Sequence, residues 1–217
     1  SFLVTAKLAG IAYILAVALG VVVGVVAAVN HGKWVDSVLM TISVFGISAP
    51  AFWIAIILQI VICLKFNLLP LSGIDSFKSF ILPGIALGTR YAASIARITR
   101  TSMLDVLSQD YIRTAEAKGL KGWVVTIKHA LRNALIPIIT IAGSDLGNIL
   151  TGSVLVESVF SIPGIGKMLV DSINTRDLPI VQGGVMYIAV ICVIMYLVVD
   201  LLYTVVDPRI RLGKESS

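Results

Sequence analysis

Three long stretches of this chain carry no charge at all, Ser37–Leu64 among them, and nothing else in the sequence limits its fold as much. No charged side chain occurs between Leu8 and Val29, nor between Leu178 and Val199. A bilayer's hydrocarbon core is about 30 Å thick and takes about 20 consecutive apolar residues in a helix to cross. The chain has 217 residues, 58% hydrophobic and 13% charged, with mean hydropathy +0.99. Soluble domains average about 25% charged residues, so a soluble fold is excluded. The sequence predicts an all-α, polytopic membrane domain over residues 1–217.

Five spans are expected along it. The first is Ala6–Val29, where Gly20 and Gly24 form a small-xxx-small pair that permits close helix packing. Asn30-His31-Gly32-Lys33 follows as a polar turn, with His31 read as a solvated turn residue. The second span, Trp34–Leu64, contains Pro50, which removes a backbone bond and predicts a kink. That kink is either simply tolerated or borders a substrate path. Lys65–Ser79 is a loop with Pro70 and Gly73 as turn signals.

The third span, Phe80–Val106, carries Arg90, Arg97 and Arg100. Arg97 and Arg100 are expected to snorkel at its inner end. Arg90 lies deeper, where an arginine is costly unless it faces the bundle interior or water. Asp145 in the fourth span is a candidate partner; an interfacial Arg90 near the outer end is the alternative. The fourth span, Leu131–Val159, has Pro137 near its start. Its stretch Gly143, Asp145, Gly147, Asn148, Thr151, Gly152, Ser153 is unusually polar and small. Such residues serve helix contacts or a solvated path. Asp145 and Asn148 are three apart and share a helix face, which favours a path lined by Arg90, Asp145, Asn148 and Thr151. Residues 157–179 read as an external loop, with a Pro163-Gly164 turn and a short amphipathic helix from Ile165 to Ile173 ended by Asn174 and Thr175. The last span is Ile180–Val206, with Asp200 near its inner end.

Between the third and fourth spans lies the one strongly polar insert, residues 110–134. Arg113, Glu116, Lys118, Lys121, Lys128 and Arg132 cluster here. Asp110–Lys118 reads as a short helix, capped by Asp110, with Lys118 where the dipole favours a cation. Gly119 stands where a left-handed residue ends a helix. A second helix is expected from near Gly122, its apolar positions Trp123, Val124, Ile127 and Leu131 spaced by three or four. The pattern is helix, glycine turn, helix, at one membrane face. It serves either as an ordinary basic cytoplasmic loop or as a rigid docking element.

About half of the 17 basic residues fall between Arg90 and Arg132, so membrane orientation accounts for the net charge of +5 and no nucleic-acid partner is implied. The insert, the Asn30–Lys33 turn and the tail with Arg209, Arg211 and Lys214 fall on one side, predicted cytoplasmic, with the C-terminus there too. The outer loops mix Lys65, Lys78, Lys167 and Arg176 with Asp75, Glu157, Asp171 and Asp177. Cys63 and Cys192 sit in apolar runs and are expected to be free thiols. There is no Gly-x-x-x-x-Gly-Lys-Ser/Thr loop, no His-Glu-x-x-His and no Cys/His cluster. No catalytic residue and no metal site are therefore assigned. Phe160-Ser-Ile-Pro-Gly-Ile-Gly-Lys167 lacks the spacing of a phosphate cradle.

Four stretches carry a family resemblance: YIRTAEAKGL, HALRNALIP, VFSIPGIGKMLVDSINTRDLPIVQGG and VDLLYTVVDPRIR. Together they resemble the dipeptide, oligopeptide and nickel permeases of ATP-binding-cassette (ABC) importers, most closely the first permease subunit. Relative to the general importer signature, only Ala115 and Gly119 match strictly and Pro137 comes late, a departure similar to that of this subfamily. The resemblance covers essentially the whole chain. It implies the type I importer permease fold, with six helices in the full family and hence an earlier helix ahead of Ser1. It implies a multi-pass protein of the cytoplasmic membrane that does no bond chemistry and moves di- or oligopeptides by alternating access, with nickel or a metal chelate as the alternative cargo. Arg113, Ala115, Glu116, Ala117, Lys118, Gly119 and Leu120 would couple to the ATPase. The implied partners are a second homologous permease, two ABC ATPase subunits that bind ATP and Mg, an extracytoplasmic substrate-binding protein and the lipid bilayer. A secondary transporter or channel is the rival reading, and an intramembrane enzyme a more distant one.

Overall fold

In the computed structural model, residues 1–74 and 76–206 are described, and among them every regular element is helical. Asp75, the Asp200 side chain and the basic tail with Arg209, Arg211 and Lys214 lie outside the described residues. Helix α1 is Phe2–Val29, α2 Trp34–Ser48 and α3 Ala51–Leu58, which runs on through a π-helical turn, Gln59–Lys65. Helix α4 is Ile81–Leu107, α5 Asp110–Ala117 and α6 Gly122–Val124. A π-helical turn, Val125–Leu131, leads into α7, Arg132–Val159. Helices α8, Ile165–Asn174, and α9, Leu178–Val206, complete the bundle.

The centre of the bundle is the α1–α4 contact, and small residues create it. A Cβ on Gly20 would sit 2.7 Å from the Ala92 carbonyl and the Ile95 Cβ. One on Gly24 would meet Thr99 Cβ at 2.5 Å and the Ala96 carbonyl at 2.6 Å. From the other side, a Cβ on Gly88 would meet the Ala12 carbonyl at 2.8 Å. Both backbones therefore touch along the seam the small-xxx-small pair predicts. The register rises together in both helices, from Ala12 against Gly88 to Gly24 against Thr99, so α1 and α4 run parallel. The chain between them makes one net crossing.

That crossing differs from the expected kinked helix. Helices α2 and α3 meet at 107°, so Pro50 breaks the span rather than bending it. Ala49 is extended (φ −77°, ψ 130°), as the residue before a proline prefers, and Pro50 itself is extended and opens α3. Helix α2 rises from the Asn30 end to the level of Thr89 and Ala93, where Gly46 packs on α4. Helix α3 then turns aside in the other half, where Ala55 and Cys63 join a core with Leu8, Leu82 and Val156. Gln59 fastens this arm by donating to the carbonyls of Leu71 (2.9 Å) and Val159 (3.3 Å).

Helices α1 and α9 and the continuous stretch Gly122–Val159 are each long and apolar enough to cross a membrane, and α2 with α3 makes a fourth span. Helix α4 is not apolar enough alone. It crosses sheathed by protein, against α1, α2, α3 and α7, at 27 residues or about 40 Å. Helix α7 is antiparallel to it, with Ala134 and Ile138 in one core with Met103 and Ile149 and Val156 in another with Leu82. Helix α9 returns from Gly184, beside Leu169, to Tyr196, beside Gly147, and so heads for the face that carries Asn30. Its apolar surface is almost wholly exposed. Cys63 and Cys192 are both free.

Candidate functional site

The polar insert forms an elbow. Gln109, extended, is the residue that precedes α5; Asp110 is already inside the helix, makes no capping hydrogen bond and points into solvent, 4.0 Å from Arg113. The expected Asp110 cap is thus displaced by one residue, and the carboxylate acts through the helix dipole and its exposed pair with Arg113. The other end is as the sequence predicts. Gly119 has φ +77°, its N–H donates to the Glu116 carbonyl (2.9 Å) and that of Leu120 to the Ala115 carbonyl (3.4 Å). This is a Schellman closure, which needs a left-handed residue at the glycine.

Helix α5 has two faces. Ile112 and Ala115 are buried in a cluster with Met103, Val125 and Ala130. Arg113, Glu116, Ala117, Lys118, Gly119 and Leu120 are exposed. Ala115, a predicted coupling residue, therefore faces inward and anchors the elbow. The second helix expected at Gly122 is not a separate element, because the chain from Gly122 to Val159 is one helical stretch of 38 residues. Pro137 lies inside it. Asn133 ties this stretch back to the elbow, donating to the Tyr111 hydroxyl at 3.0 Å. A groove of about 670 Å³ lies between the elbow and the end of α1, with Val29, Asn30, Glu116 and Trp123 on its walls, so turn and elbow share one face.

Further along the stretch, α4 and α7 enclose a polar cavity of about 470 Å³, closed on one side by Ile47 of α2. All four predicted path residues line it: Arg90 from α4, and Asp145, Asn148 and Thr151 from α7, with Tyr91 and Ser94 beside them. Arg90 and Asp145 share the cavity, as expected of candidate partners. They form no ion pair among the described residues. One Asp145 oxygen, Oδ2, is buried without a hydrogen-bond partner. Asn148 accepts from the Tyr196 hydroxyl at 2.8 Å, and a Cβ on Gly147 would strike the Tyr196 ring at 2.6 Å. The polar stretch of α7 thus does both expected jobs, glycine packing on one face and a lined hollow on the other.

Two charged clusters escaped the sequence reading. Asp36 at the start of α2 is 4% exposed and receives Arg100 from α4 at 2.6 Å (Nε) and 2.7 Å (Nη2). His31 Nδ1 stands 3.2 Å from Asp36 and 3.1 Å from Arg100. Arg100 is therefore clamped rather than snorkelling, and His31 is not simply a solvated turn residue. The second cluster is Glu157, fully buried on α7. It accepts from the backbone N–H groups of Gly166 (2.8 Å) and Lys167 (3.2 Å) and from the Ser153 hydroxyl (3.0 Å). Thr5 of α1 accepts from the N–H of Ile165 at 2.9 Å. Three of the N–H groups left free at the start of α8 are capped by side chains of two other helices. The carboxylate occupies the positive end of the α8 dipole, and Gly164 and Gly166 are glycines because a Cβ on either would run into it. The only sequence signal was that glycine pair.

A parallel α1–α4 core, a broken span between them and an exposed elbow leading into one long helix define a membrane transport subunit with a polar cavity between α4 and α7. The chain belongs to the family described as binding-protein-dependent transport system inner membrane component, whose model matches residues 20–212. It is 44% identical over 210 residues to the glutathione transport system permease protein GsiC of Salmonella choleraesuis (strain SC-B67), covering 97% of this chain and 69% of that protein. To GsiC of Escherichia coli (strain K12) it is 45% identical over 196 residues, covering 90% of this chain and 64% of that protein. The chain thus spans about two thirds of the length of these relatives. Its fold matches two solved type I importers. One is the MetNI methionine ABC transporter in inward-facing form, with TM-score 0.75 and 15% identity, covering 94% of this chain and 93% of that one. The other is an amino acid ABC transporter with histidines, with TM-score 0.67 and 18% identity, covering 96% and 92%. The protein is a permease subunit of an ABC importer, a transport subunit rather than an enzyme.

Proposed function

We propose that this chain is one membrane half of an ATP-driven importer of di- or oligopeptides. The observation that carries the reading is the pairing of an exposed, glycine-closed elbow with a helix that runs unbroken from it past the polar cavity. The relatives named for glutathione, itself a tripeptide, favour a peptide cargo. Arg113, Glu116, Ala117, Lys118, Gly119 and Leu120 form the surface on which a separate ATPase subunit seats, and Ala115 holds that surface to the bundle. ATP and Mg are bound by two such subunits. A second homologous permease covers the open side of the cavity, and a binding protein delivers peptide at the α8 face. The elbow face is cytoplasmic, with the C-terminus on the same side.

Under this reading a push on α5 moves the long helix, and the cavity changes the side on which it opens. The test replaces Gly119 with Trp or Glu116 with Arg in the assembled transporter. A Cβ on Gly119 meets nothing within 4 Å, but its φ of +77° strains any other residue, so Glu116→Arg, which keeps the turn, is the variant that separates coupling from folding. The expected result is ATP hydrolysis that no longer drives peptide uptake, in a complex that still assembles. Normal uptake in both variants overturns the assignment. Uptake of nickel in place of peptide overturns the cargo alone.

A further inference from the structure

The cavity between α4 and α7 holds one cation and one anion that do not satisfy each other. Arg90 is exposed to it, and Asp145 lies within electrostatic reach of Arg90. Neither makes an ion pair among the described residues, and Asp145 Oδ2 is buried with no donor. Within a spanning bundle, opposite charges that share a cavity are expected to close on each other or to hold something between them. Elsewhere in the same bundle they do close: Arg100 grips Asp36 at 2.6 Å. The neighbouring groups at Arg90 and Asp145 also leave room. Asn148 is held aside by the Tyr196 hydroxyl, and the Thr151 hydroxyl turns back to the Asn148 carbonyl at 2.9 Å. At about 470 Å³ the hollow falls within the range of small-molecule sites, about 300–1,000 Å³.

Resting on the importer reading, we propose that this cavity is a two-point site for a zwitterion, taking the carboxylate of a small peptide on Arg90 and its ammonium group on Asp145. A guanidinium fork suits a carboxylate in two parallel hydrogen bonds, and a cavity-lining carboxylate with no ion pair among the described residues suits an ammonium group. The site reads the two ends of the cargo and leaves the side chains between them unread, so it admits peptides of varied sequence. Blocking either end leaves one of the two charges uncompensated. Such a mismatch discriminates more strongly than a lost apolar contact.

The test places a reporter cysteine at Thr151, with Cys63 and Cys192 replaced by Ala, in the intact transporter in membrane vesicles. Maleimide labelling is timed with free glycylglycine and with its N-acetyl, C-amide form, each at about tenfold above a millimolar Kd. The free peptide should slow labelling about tenfold at that concentration and the blocked one should not. Asp145→Asn and Arg90→Gln should each abolish the protection while labelling at the wild-type rate without peptide, which shows the cavity intact. Equal protection by the blocked peptide, protection that survives both variants, or no protection by either peptide overturns the two-point site. Peptide uptake by the unaltered chain is measured alongside. Its absence sinks the importer reading, whereas uptake without protection sinks only this site.

Discussion

Replacing Glu157 by Ala removes the acceptor for two backbone N–H groups and one hydroxyl at once, at a place with no exposure. A hydrogen bond to a charged group contributes about 1.5–3 kcal/mol. Two backbone bonds therefore bound the loss at about 3–6 kcal/mol. Water entering the vacated space recovers part of it, which leaves about 3 kcal/mol, or on the order of 100-fold in the opening equilibrium of α8. Gln keeps one carbonyl acceptor but loses the charge that opposes the helix dipole, a contribution of about 0.3–2 kcal/mol. Glu157→Gln should therefore open α8 by about fivefold, at about 1 kcal/mol.

Hydrogen exchange over residues 161–177 reads this directly, because exchange from a locally opening segment follows its opening free energy. The Glu157→Ala protein should exchange that segment on the order of 100-fold faster than wild type, and Glu157→Gln by a single-digit factor. Asp171→Ala is the control. It breaks only the exposed pair with Lys167 on the outer surface of the same helix, and exposed pairs contribute little. If Glu157→Ala exchanges within about threefold of wild type, or matches Asp171→Ala, the cross-helix cap is not what docks α8, and the argument from buried hydrogen bonds fails.

The other expectations are shorter. Gly24→Leu should separate α1 from α4, because a Cβ there already lies 2.5 Å from Thr99 Cβ against an ordinary contact of about 3.5–4.0 Å. The cost is about 1–3 kcal/mol or more. Gly10→Leu, where a Cβ meets nothing within 4 Å, should leave thermal unfolding in detergent unchanged. Asp36→Ala strands Arg100, and losing one member of a buried pair costs about 3–5 kcal/mol. The Arg100 side chain is 23% exposed, so water offsets some of this and about 2–3 kcal/mol is expected. The double change Asp36→Leu with Arg100→Leu should recover most of the loss, and a double variant as unstable as the single one would show that the pair is not the source.

What the sequence revealed and what it hid divide along the range of the interaction. The spans, the seam at Gly20 and Gly24 and the closure at Gly119 are each written within a few neighbouring residues, so periodicity and turn chemistry expose them. That Arg90, Asp145, Asn148 and Thr151 would lie together was legible too, because they are polar within spans otherwise apolar, and they line one cavity. The clamp at Asp36 joins residues 64 positions apart, and the contact from Thr5 to Ile165 joins residues 160 apart. Neither partner carries a local mark. Two helix ends fall where the sequence places them, at Val159 and Asn174, but the residues that turn the chain just beyond them carry no local mark. Helices α7 and α8 close on left-handed Ser161 (φ 52°) and Arg176 (φ 58°), where no glycine announces the turn. Pro50 predicts a kink, and the chain instead breaks there. A proline inside a helix can be absorbed, as Pro137 is in α7, and only the packing of α3 against α4 and α7 decides that the chain turns through 107° instead.

The stretch from Gly122 to Val159 binds these parts into one mechanical unit. At 38 residues it is about 57 Å long. Its first turns pack with Ile112 and Ala115 behind the elbow, its middle carries Asp145, Asn148 and Thr151, and its last turn carries Glu157. A helix resists compression along its axis because every turn is hydrogen-bonded to the next, so a displacement at the elbow reaches the cavity about 35 Å away without being absorbed by a loop. The same displacement reaches the cap of α8 at the far face. A flexible linker between elbow and span would break that connection. On the proposed importer reading, the absence of a separate second helix in the insert is therefore the feature that would let one motion act on the elbow, the cavity and α8 together.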